Sequence, residues 1–404
     1  MTDHANYFLL WVVLIIVSAK VGERAARGLG LPQVLGELSM GMLLGNVYFL
    51  SGWGFFNFLR EETLLKVLGE LGALTLLLIV GLHTDLRALQ KAGPSVLRVA
   101  LGGLVAPAVL GYMACLFLIP DASIYTCFFI VAALCVNSVG IITRVFHEMG
   151  RLDALEARIA IASTLIDAIL VFLIIGAVSG VIRTGHFTTT GVVLTVGISV
   201  LFLALITATN LRYGEGLGDF VTEKFSESSK VFIVTVMFFS LAYLAKSIGL
   251  ATILGAFGAG LLLQKVRLKD SEGKERSMEE LVRPAYWVFV PIFFVLVGSE
   301  VRLESFLDRT AVLIGTGITI AAILGKLFCG LCVVERGVNR LQVGISMVPR
   351  AEMALVVASM GRALGVLTDS IYSAVIIMVM VTTLVAPPFL KRVICIPEKR
   401  HEEI

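Results

Sequence analysis

The stretch Ser163-Thr164-Leu165-Ile166-Asp167-Ala168-Ile169-Leu170-Val171-Phe172 sets one carboxylate in the middle of an apolar run. No other ionisable side chain occurs from Ile159 to Ile182. A helix of roughly 20 apolar residues spans the hydrocarbon core of a bilayer, so this run is long enough to cross one. A charge at that depth is costly; such residues face the protein interior or a water-filled path and mark function. The stretch thus makes the chain a membrane protein with a buried acid.

The totals agree. Of 404 residues, 57% are hydrophobic and only 16% charged, with a mean hydropathy of +0.93, whereas a soluble domain carries about 25% charged residues. Apolar runs between charged or Pro/Gly breaks define thirteen candidate spans: 7–25, 33–50, 63–82, 95–119, 124–147, 154–182, 191–209, 230–247, 249–265, 284–300, 310–333, 341–363 and 369–390. The first run lacks a basic segment before it and continues into a long helix, so no cleavable leader is expected.

The loop charges orient these spans. With the N-terminus outside, the inner connections collect Arg24 and Arg27, Arg87 and Lys91, Arg144 and Arg151, Arg212 and Lys224, five basic residues between Lys265 and Arg276, Arg336 and Arg340, and the tail after Leu390. The outer connections hold mostly single ones, such as Arg60, Arg183 and Lys246. This is the positive-inside pattern, and it puts the C-terminus in the cytoplasm of a plasma-membrane protein. Thirteen is six plus one plus six, which inverts the second set of six relative to the first. Inverted repeats are a common plan of secondary transporters, with the site near the midplane where discontinuous helices meet. Under this plan the fifth span pairs with the twelfth and the sixth with the thirteenth.

The polar residues inside the spans are the candidate site. Asp167 follows Ser163 and Thr164 by four and three residues, so the three share a helical face. A carboxylate beside two hydroxyls suits a hard monovalent cation, Na+ or K+, which takes oxygen ligands; the hydroxyls could instead bond back to their own helix. Lys326 in the eleventh span is the natural partner of Asp167. Such a pair either exchanges a proton when a cation competes for the carboxylate or is a permanent bridge between two helices. Asn137 and Ser138 in the fifth span, and Met347-Val348-Pro349-Arg350-Ala351-Glu352 in the twelfth, are places where a helix can unwind and line a cavity. Arg350 and Glu352 are expected to neutralise the helix ends made by such breaks. Glu37 and Glu70 are further acids near the starts of their spans, and His83 falls at the cytoplasmic edge.

Other chemistry is not expected. The six cysteines lie mostly in apolar runs and read as small hydrophobes, Cys329-Gly-Leu-Cys332 included. The segment from Lys265 to Glu280 reads as a solvated loop. No nucleophile–base constellation or metal cluster stands at usable spacing, so the chain is not expected to be an enzyme. About fourteen residues follow the last span and contain no G-x-G-x-x-G, so no nucleotide domain or other cofactor is expected. Membrane lipid is an expected partner and nucleic acid is not.

At these residues the chain resembles the monovalent cation:proton antiporter-2 family, along nearly its whole length. The resemblance rests on Gly30-Leu31-Pro32-Gln33-Val34-Leu35-Gly36-Glu37-Leu38, Gly81-Leu82-His83-Thr84-Asp85, Ser138-Val139-Gly140-Ile141 and Gly150-Arg151-Leu152-Asp153. It continues through Gly255-Ala256-Phe257-Gly258-Ala259-Gly260, Pro291-Ile292-Phe293-Phe294, Gly325-Lys326 and Met347 to Glu352. Each motif is short, but their order and intervals are specific.

The resemblance implies an all-α membrane fold of about thirteen helices in two inverted six-helix repeats, with crossed discontinuous helices. It implies dimerisation-domain helices in 1–94 and 230–308, core-domain helices in 95–182 and 309–390, a linker helix in 183–229 and a cytoplasmic tail in 391–404. It also implies a homodimer that exchanges Na+ or K+ for H+ by an elevator-like movement of the core.

The chain departs from the family at one telling position. Electrogenic members carry two adjacent aspartates in the sixth span, the second being the principal ion carrier. Counted from Gly150, the first falls on Asp167 and the second on Ala168. A one-residue slip, which the spacing disfavours, would put Asp167 second and Ile166 first. Lacking the second carboxylate, the chain is expected either to exchange with Asp167 carrying the ion alone or to be an impaired exchanger, or else to transport an anion or organic solute on the same scaffold.

Overall fold

The computed structural model describes residues 2–83, 94–184, 189–224, 227–264, 266–269, 275–306 and 309–395. Arg87, Lys91, Lys265 and Lys274, and the Thr84-Asp85 end of one motif, lie outside the described residues, as do the side chains of Arg144, Arg183, Lys224 and Glu352. Helices occupy the apolar runs. Among the described residues, seven stretches are long and apolar enough to cross a membrane: Thr63–His83, Pro94–Leu118, Ile124–Thr143 (interrupted, as described below), Leu155–Gly176, Met278–Ser299, Arg309–Cys332 and Asp369–Ile394. The segment expected to be a solvated loop is partly ordered. Strands Arg267–Lys269 and Glu275–Ser277 pair antiparallel, and Ser277 caps the helix that follows by accepting from Glu280 N.

The chain divides into two compact units. The first comprises residues 1–29, 36–86 and 172–300. Its helix Thr63–His83 packs against Met278–Ser299 and Thr252–Leu263. Helix Gln33–Gly45 lies so close to Met278–Ser299 that a Cβ on Gly41 would run into the Val295 carbonyl oxygen. In a membrane, where no solvent drives apolar faces together, such close backbone approach is the usual source of helix affinity. A cluster of Ile15, Ala19, Leu59, Leu65, Ile292 and Val295 completes this unit's core. Glu37 is almost wholly buried here, while Glu70 is exposed, so the two acids read together from the sequence have opposite surroundings. His83 meets Glu279 at 2.9 Å.

The second unit comprises residues 30–35, 87–171 and 301–404. Helices Pro94–Leu118 and Arg309–Cys329 form its most extensive pairing, with Gly325 packed directly on the backbone of Pro107. Its apolar core includes Val96, Val99, Phe146, Ile159, Ala160, Val343 and Met347. Cys115 and Cys127 are joined by a disulfide with their Cα atoms 5.7 Å apart, which corrects their reading as plain hydrophobes. The bridge closes the hairpin between Pro94–Leu118 and Ile124–Cys135. Cys135, Cys329 and Cys332 are free thiols.

Both places expected to unwind do so. The fifth apolar run is two helices, Ile124–Cys135 and Val139–Glu148, and the twelfth is Arg340–Ser346 and Glu352–Ala363. The first break follows from local chemistry. Ser138 Oγ accepts from Ile141 N at 3.3 Å and so starts a new helix at residue 139. The second follows from Pro349, which has no N–H to continue a helix and forces its predecessor out of the helical region.

Candidate functional site

The two breaks meet. Ser138 N donates to Pro349 O at 3.0 Å, so the interruption of one run caps the other. Two breaks leave helix ends whose carbonyls and N–H groups have no partner in their own helix. Arg350 supplies much of what is missing. Its Nε and Nη2 donate to Leu134 O at 3.1 and 2.6 Å, Nη2 also reaches Ala322 O at 3.0 Å, and Nη1 reaches Val348 O at 2.9 Å. Leu134 is in the last turn of Ile124–Cys135, where the helix dipole is negative and a cation is favoured. Thr383 Oγ1 donates in turn to Arg350 O. Arg350 is fully buried. Glu352 is the first residue of the helix after the second break.

Beside the breaks sits the acid. Asp167 lies on helix Leu155–Thr184 and Lys326 on Arg309–Cys329, both with no exposed surface. Lys326 Nζ donates to Asp167 Oδ2 at 2.8 Å, and Asn137 Nδ2 donates to the same oxygen at 3.0 Å. Three segments therefore converge on one carboxylate oxygen. The other, Oδ1, is buried with no hydrogen-bond partner among the described residues, and so is Asn137 Oδ1. A buried acceptor left unpaired costs about 1–3 kcal/mol. Two such oxygens on residues already in contact form an electron-rich spot to which a cation could bind.

The remaining expected residues are placed as follows. Ser163 and Thr164 are buried next to Asp167 in sequence, but their hydroxyls are engaged elsewhere. Ser163 Oγ donates to Val96 O at 2.9 Å and Thr164 Oγ1 to Met347 Sδ at 3.3 Å. Ser138 serves as a helix cap. Ala168 is 1% exposed. Glu37, Glu70 and His83 belong to the first unit, apart from the residues gathered here.

Two contributors were missed. Met347 presents its sulfur to Thr164 and, at 4.0 Å, to Asn137 Nδ2. Gly103, on Pro94–Leu118, packs against the ion pair. A Cβ there would stand 3.2 Å from both Asp167 Oδ2 and Lys326 Nζ. The sequence signal for Gly103 is a pair of glycines, Gly102-Gly103, inside a membrane run, which marks a close helix contact but not its partner.

Comparison with known proteins follows the same lines. The model of the family described as sodium/hydrogen exchanger, transmembrane, matches residues 12–394. The chain is 30% identical to the high-affinity Na+/H+ antiporter NhaS3 of Synechocystis sp., over 95% of this chain and 89% of that protein. It is 29% identical to the Na+/H+-K+ antiporter GerN of Bacillus cereus, over 95% of each. In fold it is similar to the sodium proton antiporter MjNhaP1 of Methanocaldococcus jannaschii. That structure superposes with a TM-score of 0.71 over 95% of this chain and 97% of the other, at 14% identity.

Proposed function

The chain belongs to the sodium/hydrogen exchanger family, and from that membership we propose that it exchanges Na+ or K+ for protons at Asp167 as a secondary transporter. The observation that carries this reading is the lopsided carboxylate: Lys326 and Asn137 both bond Oδ2, while Oδ1 and Asn137 Oδ1 are buried and free of partners. A cation binding the two free oxygens shares the carboxylate charge with the Lys326 ammonium. Competition between the cation and the ammonium for that carboxylate couples cation binding to proton release from the pair. The reverse order returns the proton and expels the cation. Ser163 and Thr164 join the ligand set when their hydroxyls turn from Val96 O and Met347 Sδ. Arg350 and Glu352 compensate the helix ends and do not touch the ion.

In this reading the membrane fold has thirteen spans in two inverted repeats, and helices at all the apolar runs support it. The second unit, which holds the site, is the mobile core, and the first is the dimerisation side of a homodimer in the plasma membrane. Division of the chain into units at 87–171 and 301–404 against 36–86 and 172–300 supports that assignment. The N-terminus is outside and the C-terminus cytoplasmic. The Cys115–Cys127 disulfide then lies toward the outer face, where oxidising conditions preserve it.

Ala168 stands where the resemblance puts a second aspartate, so exchange is slow for want of an ion ligand and a titratable group. The test is Na+- and K+-driven proton movement in proteoliposomes, comparing the chain with Ala168→Asp. Weak movement that Ala168→Asp enhances is the expected result. Robust exchange with no gain from Ala168→Asp would refute this alignment, and no cation-dependent proton movement in either protein would refute the exchange itself.

A further inference from the structure

Between the start of helix Pro94–Leu118 and the turn that follows Arg309–Cys329, the second unit has a groove of about 480 Å³. Arg98 and Arg340 line it, and Leu101, Leu331 and Val334 line it with them. The three apolar residues are 46%, 62% and 46% exposed. We propose that this groove binds an anionic membrane lipid, with the phosphodiester headgroup between the two guanidinium groups and an acyl chain along the leucines.

The two arginines are the first reason. Some exposed arginines are matched to acids, Arg27 to Glu23, Arg283 to Glu279 and Arg302 to Asp369, and others, such as Arg24, Arg151 and Arg336, stand alone among the described residues; what distinguishes Arg98 and Arg340 is that they share one groove. Among the described residues, Arg98 and Arg340 have no ion-pair or hydrogen-bond partner, although both are exposed and border the same groove. Glu335, the nearest acid in sequence to Arg340, is turned to another task, its Oε1 accepting from Ser95 N at 3.3 Å. Guanidinium groups favour phosphate oxygens, which they grip with two parallel hydrogen bonds.

The leucines are the second reason. A soluble anion would use the arginines and leave the leucines in water, and a neutral hydrocarbon would leave two cations unmatched. A lipid with a charged phosphate satisfies both at once. The place fits as well. The groove joins the beginning of one membrane helix to the end of its antiparallel neighbour, so it opens at the membrane surface. Arg336 and Arg340 mark that surface as the basic side, and anionic headgroups there attract juxtamembrane arginines.

The proposal needs only that the chain is a membrane protein, so its outcome is independent of whether exchange occurs. The test measures phosphatidylglycerol retained by the purified full chain in native mass spectrometry, and the rise in its unfolding temperature when micelles are doped with that lipid. Phosphatidylcholine is the reference. Each of Arg98→Gln and Arg340→Gln should weaken phosphatidylglycerol binding about five-fold, and the double variant roughly 30-fold, the effect of one and two basic residues at a lipid surface. Leu101→Trp, which fills the groove and spares both charges, should also lose lipid. Arg336→Gln, beside the groove but outside its lining, should not.

Three results would overturn the proposal. One is unchanged retention in the double variant. Another is equal loss in Arg336→Gln, which would mean a diffuse basic surface. The third is stabilisation by inorganic phosphate that matches the lipid and survives Leu101→Trp, which would mean a site for a free anion.

Discussion

The two interrupted runs look alike in outline and differ in chemistry. The break at Val136–Ser138 carries no ionisable group; it contributes Asn137 to the carboxylate and a hydroxyl cap to the next helix. The break at Met347–Ala351 carries a buried guanidinium that reaches out of its own run to bond Leu134 O and Ala322 O. One interruption therefore furnishes polar atoms to the proposed ion site and the other furnishes the charge that lets the first exist. An uncapped helix end in the middle of a membrane would be prohibitive, because no water is there to satisfy it. Here Arg350 satisfies the C-terminal end of Ile124–Cys135 so that Asn137 is free to meet Asp167. The difference teaches that positions in matching breaks need not have matching roles, and it predicts which substitutions harm the fold and which only the site.

Arg350→Leu should have the largest effect. It leaves the carbonyls of Leu134, Ala322 and Val348 without their donor, at about 1–3 kcal/mol each if none finds a new one. The protein is expected to unfold many degrees lower in detergent, with exchange lost. Arg350→Lys restores the charge without the fork and should recover only part of the stability. If Arg350→Leu were as stable as the parent, the structural role assigned to the second break would be wrong.

Asn137→Ala should act in the opposite sense, on function more than on fold. It removes one donor to Asp167 Oδ2 and one of the two unpaired oxygens. The expected stability change is small, within about 1 kcal/mol, because an orphaned acceptor goes with the donor. The concentration of Na+ that half-saturates exchange should rise several-fold, measured on the Ala168→Asp background if the parent is too slow. A fall in stability equal to that of Arg350→Leu would erase the distinction between the two breaks.

Gly103→Ala tests the same site from the third side. The added Cβ would lie 3.2 Å from Asp167 Oδ2 and Lys326 Nζ, closer than ordinary contact. Either the helix Pro94–Leu118 shifts or the ion pair does. A modest loss of stability, about 1–3 kcal/mol as for other overpacked positions, should accompany slower exchange. Gly102→Ala faces the far end of the Cys332 side chain and not the ion pair; it should leave the cation dependence unchanged.

How much of this could be read from the chain depends on what each residue needs. Asp167 and Lys326 declare themselves, because an ionisable group in an apolar run must find a partner, and the partner was the buried lysine. The breaks declare themselves through Asn137-Ser138 and Pro349, whose effects are local to the backbone. Gly103, Met347 and the Cys115–Cys127 bridge do not. A glycine says that something comes close but not what; a methionine in a membrane run is ordinary; and two cysteines twelve residues apart pair only once a hairpin folds between them. Nor does the sequence separate Glu37, which is buried, from Glu70, which is exposed, because only packing decides whether a helix face is covered.

Ser163 shows the limit most clearly and carries the smallest expected effect. Its spacing from Asp167 puts the two on one face of the helix, and a hydroxyl beside a carboxylate invites assignment as an ion ligand. The neighbouring helix supplies a competing acceptor, Val96 O at 2.9 Å, and the hydroxyl donates there. In the bonded state its proton points away from a carboxylate that would otherwise take it, while its lone pairs remain open to a cation. Ser163→Ala therefore separates two contributions. Losing the bond to Val96 should lower stability by about 0.5–1.5 kcal/mol, and losing a hydroxyl that turns toward the ion during transport should also raise the Na+ concentration for half-saturation, by less than in Asn137→Ala. An unchanged half-saturation would mean that the hydroxyl stays on Val96 O and that the sixth span supplies Asp167 alone.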